Sequence, residues 1–98
     1  MVGVNHALRA AEWIKANSMA MAMMQRYAER VLSAGKKCGI GLIVERLRWE
    51  WIVEVNHDDT EDFKINNSHR AYIVRELIRR NPALRNVFDT RRAAWEAA

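Results

Sequence analysis

From Val4 to Leu32 the apolar residues recur every three or four positions, and this spacing constrains the chain more than any other feature. A period near 3.6 can bury one side of a helix and cannot bury one side of a strand. Val4, Leu8, Ala11 and Ile14 form the first stripe, with Arg9, Glu12 and Lys15 facing elsewhere, which predicts a helix over Asn5 to Ala16. Asn17 and Ser18 are poor interior residues and good caps, so they either start a second helix or interrupt a longer one. Met19 to Ala34 then places Met21, Met24, Ala28, Val31 and Leu32 on one face, and Gly35 stands where a left-handed C-terminal residue belongs.

After Gly39 and Gly41, the residues Ile40, Ile43, Val44, Leu47 and Trp51 continue at helical spacing and predict a third helix. From Trp49 a second period appears. Trp49, Trp51, Val53 and Val55 alternate with Arg48, Glu50, Ile52 and Glu54, so the helix is expected to hand over to a strand. The polar turn Asn56 to Glu61 and the segment Asp62 to Asn66 complete the expectation of a short β-hairpin around residues 52–66. Ser68, with Asn67 beside it, suits the cap of a further helix whose buried stripe is Ala71, Val74, Leu77 and Ile78. Pro82 ends that helix and can open a short new one with Asn81 as its cap and Leu84, Val87 and Phe88 as anchors. Asp89 or Thr90 can cap a last stretch through Trp95. The fold class expected is therefore mainly α, a single compact domain of four to five helices with the hairpin inserted, winged-helix-like in order. At 98 residues, half of them hydrophobic, the chain suffices for one core.

The lone Cys38 excludes an internal disulfide and fits a reducing, cytoplasmic setting. The longest apolar run, Met19 to Met24, is far short of a bilayer span, and the first residues lack the pattern of a signal peptide. The expected protein neither enters nor crosses a membrane.

Net charge is +4 and concentrated. Between Ser68 and Arg92 stand Arg70, Arg75, Arg79, Arg80, Arg85, Arg91 and Arg92, against Glu76 and Asp89 alone. Arginine offers a planar fork that matches phosphate or carboxylate in pairs, and a solubility charge would not require it. The segment Asn66, Asn67, Ser68, His69, Arg70 opens a helix, and side chains at the start of a recognition helix are those that reach base edges. The same arginines also suit a solvated helix face, and Asn67 and Ser68 also suit plain capping. Candidate nucleic-acid or partner-binding residues are accordingly Asn66, Asn67, His69, Arg70, Arg75, Arg79, Arg80, Arg91 and Arg92. Met19, Met21, Met23 and Met24 point in more than one direction on their helix. Met19 and Met23 are therefore the candidates for contact with a partner or a second copy of the chain.

The segment from Gly39 onward resembles a family of small, uncharacterised bacterial and phage-borne proteins. The resemblance rests on Gly39-Ile40-Gly41, Glu45-Arg46-Leu47-Arg48-Trp49, Phe63-Lys64-Ile65-Asn66-Asn67, Arg75, Asn81-Pro82 and Phe88-Asp89-Thr90-Arg91-Arg92. It implies a mobile-element setting and a helix, hairpin, helix order similar to winged-helix DNA-binding folds. It brings no activity with it.

Catalytic and cofactor chemistry find no foothold. Gly39-Ile40-Gly41 lacks the third glycine and the lysine of a phosphate loop, and His6, His57 and His69 each have surface or capping roles. The acidic turn His57 to Asp62 lacks the spacing of a calcium loop or a zinc site. A binding protein without metal or cofactor is expected, not an enzyme. Two classes of partner fit: DNA, or the acidic or RNA-binding surface of a host protein, as for an inhibitor of a host nuclease or CRISPR-type defence complex.

Overall fold

The computed structural model describes residues 5–55 and 65–88. They are mainly helical, with no strand among them. Helix α1 (His6–Ala16) is opened by Asn5, whose Oδ1 accepts from the Leu8 N–H at 2.9 Å. It stops at Asn17, whose backbone N–H and Nδ2 both donate to the Trp13 carbonyl at 2.9 and 2.8 Å. The backbone bond is the last of the helical ladder and the side chain adds a second donor to the same carbonyl, while Asn17 itself leaves helical geometry at φ −120° and ψ 54°, so α2 (Ser18–Ser33) starts afresh. The first two helical stripes thus belong to separate helices.

Helix α2 ends in a Schellman arrangement. The Lys36 N–H reaches the Val31 carbonyl at 3.1 Å, the Gly35 N–H reaches Leu32 at 2.9 Å, and Gly35 takes φ +71°. Helix α3 (Ile40–Glu50) has a different kind of glycine. A Cβ on Gly41 would meet only Nη1 of Arg70, at 3.6 Å, which is ordinary contact. The two positions should therefore respond with opposite signs. Gly35→Ala is expected to lower stability by about 1 kcal/mol, because a Cβ is disfavoured at positive φ, and Gly41→Ala to raise it by about 0.5 kcal/mol through reduced chain entropy in the unfolded state. Urea unfolding of both variants measures this, and a loss of equal size at both sites would contradict it.

After Glu50 the chain remains helical, as a π-helical turn over Trp51–Val55. The expected first strand of the hairpin is not formed. Leu47 and Trp51 lie one turn apart, and Trp51 packs against the core, so the 3.6 period outweighs the alternation that begins at Trp49. The β-branched residues at 52, 53 and 55 sit in the wider turn instead. Most of the returning arm, 62–66, lies outside the described residues, as does the predicted last stretch from Asp89.

Helix α4 (Asn67–Arg80) is capped two residues before Ser68, the cap expected with Asn67 beside it. Asn66 Oδ1 accepts from both the backbone N–H and the hydroxyl of Ser68, each at 2.9 Å, so Asn66 is the cap and Asn67 the first helical residue. Asn81 ends α4 and caps a 3₁₀ turn (Pro82–Asn86) through an Ala83 N–H bond of 3.1 Å, as its place before proline predicts.

One core joins these elements. It holds Met21, Met24 and Ala28 of α2, Ile43, Val44 and Leu47 of α3, Ile73, Val74 and Leu77 of α4, and Ile65, Leu84, Val87 and Phe88. The α4 stripe is rotated slightly from the expected one, with Ile73 fully buried and Ala71 and Ile78 half-buried. Helix α1 packs along α4, while α2 lies against α3 and the 3₁₀ turn. The expected face of α1 is displaced. Ile14 of the expected stripe packs against the core, but Leu8 is 55% exposed and Ala11 exposed, while Ala10, outside that stripe, is fully buried. Cys38 is partly buried, its thiol pKa raised by desolvation, and its N–H donates to the Val87 carbonyl at 3.1 Å. That bond clips the α2–α3 connection to the end of the 3₁₀ turn.

Candidate nucleic-acid interface

The arginines of α4 follow from its helical spacing. Arg75 and Arg79 are one turn apart, and Glu76 lies three and four residues before Arg79 and Arg80, the separations at which side chains meet. Glu76 takes both. Nε and Nη2 of Arg79 donate to its two carboxylate oxygens at 3.0 and 2.8 Å, and Nε of Arg80 donates to Oε2 at 2.8 Å. The hydrogen bond from Arg79, with a second from Arg80 and the charge of both, outweighs partial burial and holds the Glu76 carboxyl down to about 2. Nη1 of Arg79 and both terminal amino groups of Arg80 are not used by Glu76. The Arg75 guanidinium lies 5.2 Å from the centre of the Tyr72 ring.

Arg75, Glu76 and Arg79 form one wall of a shallow open groove with Tyr72. Ala7, Ala11 and Ile14 of α1 form the other. The groove exists because α1 runs along α4 with alanines on that side.

The start of α4 is less available than its sequence suggests. Asn66 is engaged as the cap, and Asn67 is exposed. His69 and Arg70 are half-buried, and His69 Nδ1 and Arg70 Nε are both buried without a hydrogen-bond partner. The Arg70 guanidinium lies against Gly41, in the first turn of α3. Arg85 is exposed on the 3₁₀ turn. Arg91 and Arg92 lie outside the described residues. The structure thus groups Arg75, Arg79 and Arg80 on the outer part of α4 and directs His69 and Arg70 inward.

Of the methionine candidates, Met19 is exposed and Met23 is half-buried against the core. Among the described residues no group of His, Cys, Asp or Glu could hold a metal ion, and no helix is long and apolar enough to cross a membrane. The acidic turn 57–62 lies outside those residues.

The alternation that begins at Trp49 points to a strand and hides a second cluster. Trp49 is 52% exposed. Arg46 sits between two rings, 5.3 Å from the centre of Trp49 and 5.6 Å from that of Tyr27. Glu50 accepts from the Tyr27 hydroxyl at 3.2 Å and pairs with Arg46 at 3.5 Å. Desolvation, then the Glu50 charge, raises the Tyr27 pKa. The signal was present in the sequence. Leu42, Arg46, Trp49 and Val53 share a helical line opposite Ile43, Val44 and Leu47.

At the far side, Glu29 accepts from Gln25 Nε2 and from Asn81 Nδ2, each at 3.0 Å, and these bonds lower its pKa. Asn81 therefore ties the end of α4 to α2 as well as capping the next turn.

Comparison with protein families, with curated proteins and with solved structures finds no match to this chain.

Proposed function

We propose that this chain is a small DNA-binding protein of the phage or mobile-element type that sets α4 against the phosphate backbone. The observation that carries the reading is the clustering of Arg75, Arg79 and Arg80 on the outer face of α4, where Arg79 and Arg80 share the one carboxylate of Glu76. Three forked cations in two turns, beside a groove of small side chains, suit the closely spaced charges of a nucleic-acid strand. Arg91 and Arg92 would extend the same basic segment. In a winged-helix-like use of the fold, Asn67 at the exposed start of α4 is the best placed base-reading residue, and His69 and Arg70 contribute less because they turn inward.

Fluorescence anisotropy with a labelled duplex over a salt series tests this. If three arginines each displace counterions from one phosphate, log affinity should fall against log salt with a slope of about −3. Arg75→Ala and Arg79→Ala should each flatten the slope by about 0.9 while leaving the fold intact. A flat salt dependence, or no binding at low salt, would remove the proposal.

A protein-interaction module, such as an inhibitor of a host nuclease or defence complex, is the second reading. It is favoured by the exposure of Met19, Leu42 and Trp49, which phosphate binding does not use. Capture of a host protein that survives nuclease treatment and is lost in Trp49→Ala would support it over DNA binding.

A further inference from the structure

We propose that the outer face of α3 is a self-association surface, on which a second copy of this chain packs antiparallel about a two-fold axis near Leu47 and Arg48. The face is apolar along its centre. Leu42 is 61% exposed, Trp49 52% and Val53 45%, and spacings of four and three residues align them with Arg46 on the side away from the core. Solvent exposure of three large apolar side chains in one line is unfavourable for an isolated chain, and burial against a partner relieves it.

The charges beside this line decide which partner fits. Glu45 and Arg48 flank one side, joined at 3.4 Å, and Arg46 and Glu50 flank the other, joined at 3.5 Å. The four cancel, in a chain whose net charge is +4, so this face offers a polyanion no attraction and offers a second copy no repulsion. Their order is also self-complementary. A two-fold axis perpendicular to α3 keeps each flank on its own side and reverses its direction. Glu45 of each copy then faces Arg48 of the other, and Arg46 faces Glu50. The same register sets Leu42 of one copy beside Val53 of the other and brings the Arg46 and Trp49 pairs together at the centre. This is an isologous contact, in which one patch serves both subunits. One helix face makes a small interface, so association depends on concentration in the ordinary working range.

Sedimentation velocity of the full chain over a concentration series tests the proposal. The weight-average mass should climb from one chain toward two. Trp49→Glu and Leu42→Glu should each raise the dimer dissociation constant about tenfold or more with unchanged helical circular dichroism, and both sites are exposed enough to accept the change. Glu45→Arg should weaken the dimer by like-charge contact, and adding Arg48→Glu to it should restore association. A chain that stays monomeric at every concentration overturns the proposal. So does a dimer indifferent to both apolar variants, or a double charge swap no better than the single one. Loss of duplex binding in Trp49→Glu with an unaltered mass distribution would instead assign the stripe to nucleic acid and overturn it equally. DNA binding through α4 can fail without touching any of these outcomes.

Discussion

Leu77→Ala is expected to lower the free energy of unfolding by about 3 kcal/mol, while Leu8→Ala costs less than about 0.5 kcal/mol. The two leucines look alike in the sequence, each at a stripe position of its helix. Leu77 is fully buried among α4 and its neighbours, so truncation removes its burial and leaves a cavity in close-packed surroundings. Leu8 is more than half exposed and leaves nothing behind. A third variant fixes the geometry. Ala10 has no exposed surface, so Ala10→Leu must push α1 off its neighbours or force strained rotamers and should cost about 1–3 kcal/mol. Urea unfolding with a common slope reads all three. If Leu8→Ala proved as damaging as Leu77→Ala, α1 would be using its other face and the groove beside Arg75 and Arg79 would not exist.

These residues also mark how far the sequence could be read. The buried faces of α2 and α3 were legible because each repeats large apolar side chains at helical spacing, Met21 and Met24 on α2 and Ile43, Val44 and Leu47 on α3. Helix α1 is different. Its alanines make nearly every face acceptable to a core, and hydrophobicity alone does not foretell that Ala10 is buried and Leu8 exposed. At the start of α4 three capping residues stand in succession, Asn66, Asn67 and Ser68, and only the geometry shows that Asn66 receives both bonds of Ser68. The region after Trp49 carries two periods at once. Packing of Trp51 decided for the helical one. The arginines could be counted in advance, and the sharing of Glu76 between Arg79 and Arg80 follows from their spacing within α4. The inward turn of Arg70 and the placing of Arg46 between Tyr27 and Trp49 depend instead on which helices adjoin.

Glu76→Gln is expected to move stability and DNA affinity in opposite directions. In the folded chain the carboxyl titrates at about 2, below its ordinary value near 4.5. A lowered folded pKa means that the ionised form is the one the fold favours. Its contribution is complete above about pH 4.5 and is lost as pH falls from there toward 2. The network is open to solvent on the Arg79 side, so screening reduces the contribution to about 1 kcal/mol, well below what the shift alone implies. The glutamine variant should therefore be about 1 kcal/mol less stable at neutral pH and should lose this part of the acid dependence, the two curves converging near pH 2. Binding should change the other way. Removing one negative charge from among Arg75, Arg79 and Arg80 strengthens their attraction for phosphate, and the glutamine oxygen can still accept from one guanidinium, so part of the orientation is retained. Affinity for duplex DNA at low salt should rise by roughly threefold to tenfold, and the salt slope should steepen by up to about 0.9 for each further phosphate engaged. A solvated helix face without an anionic partner would show the stability loss alone. An affinity that fell along with stability would mean that the carboxylate, by fixing the two arginines, contributes more to the contact than its charge takes away, and the electrostatic account of α4 would have to be given up.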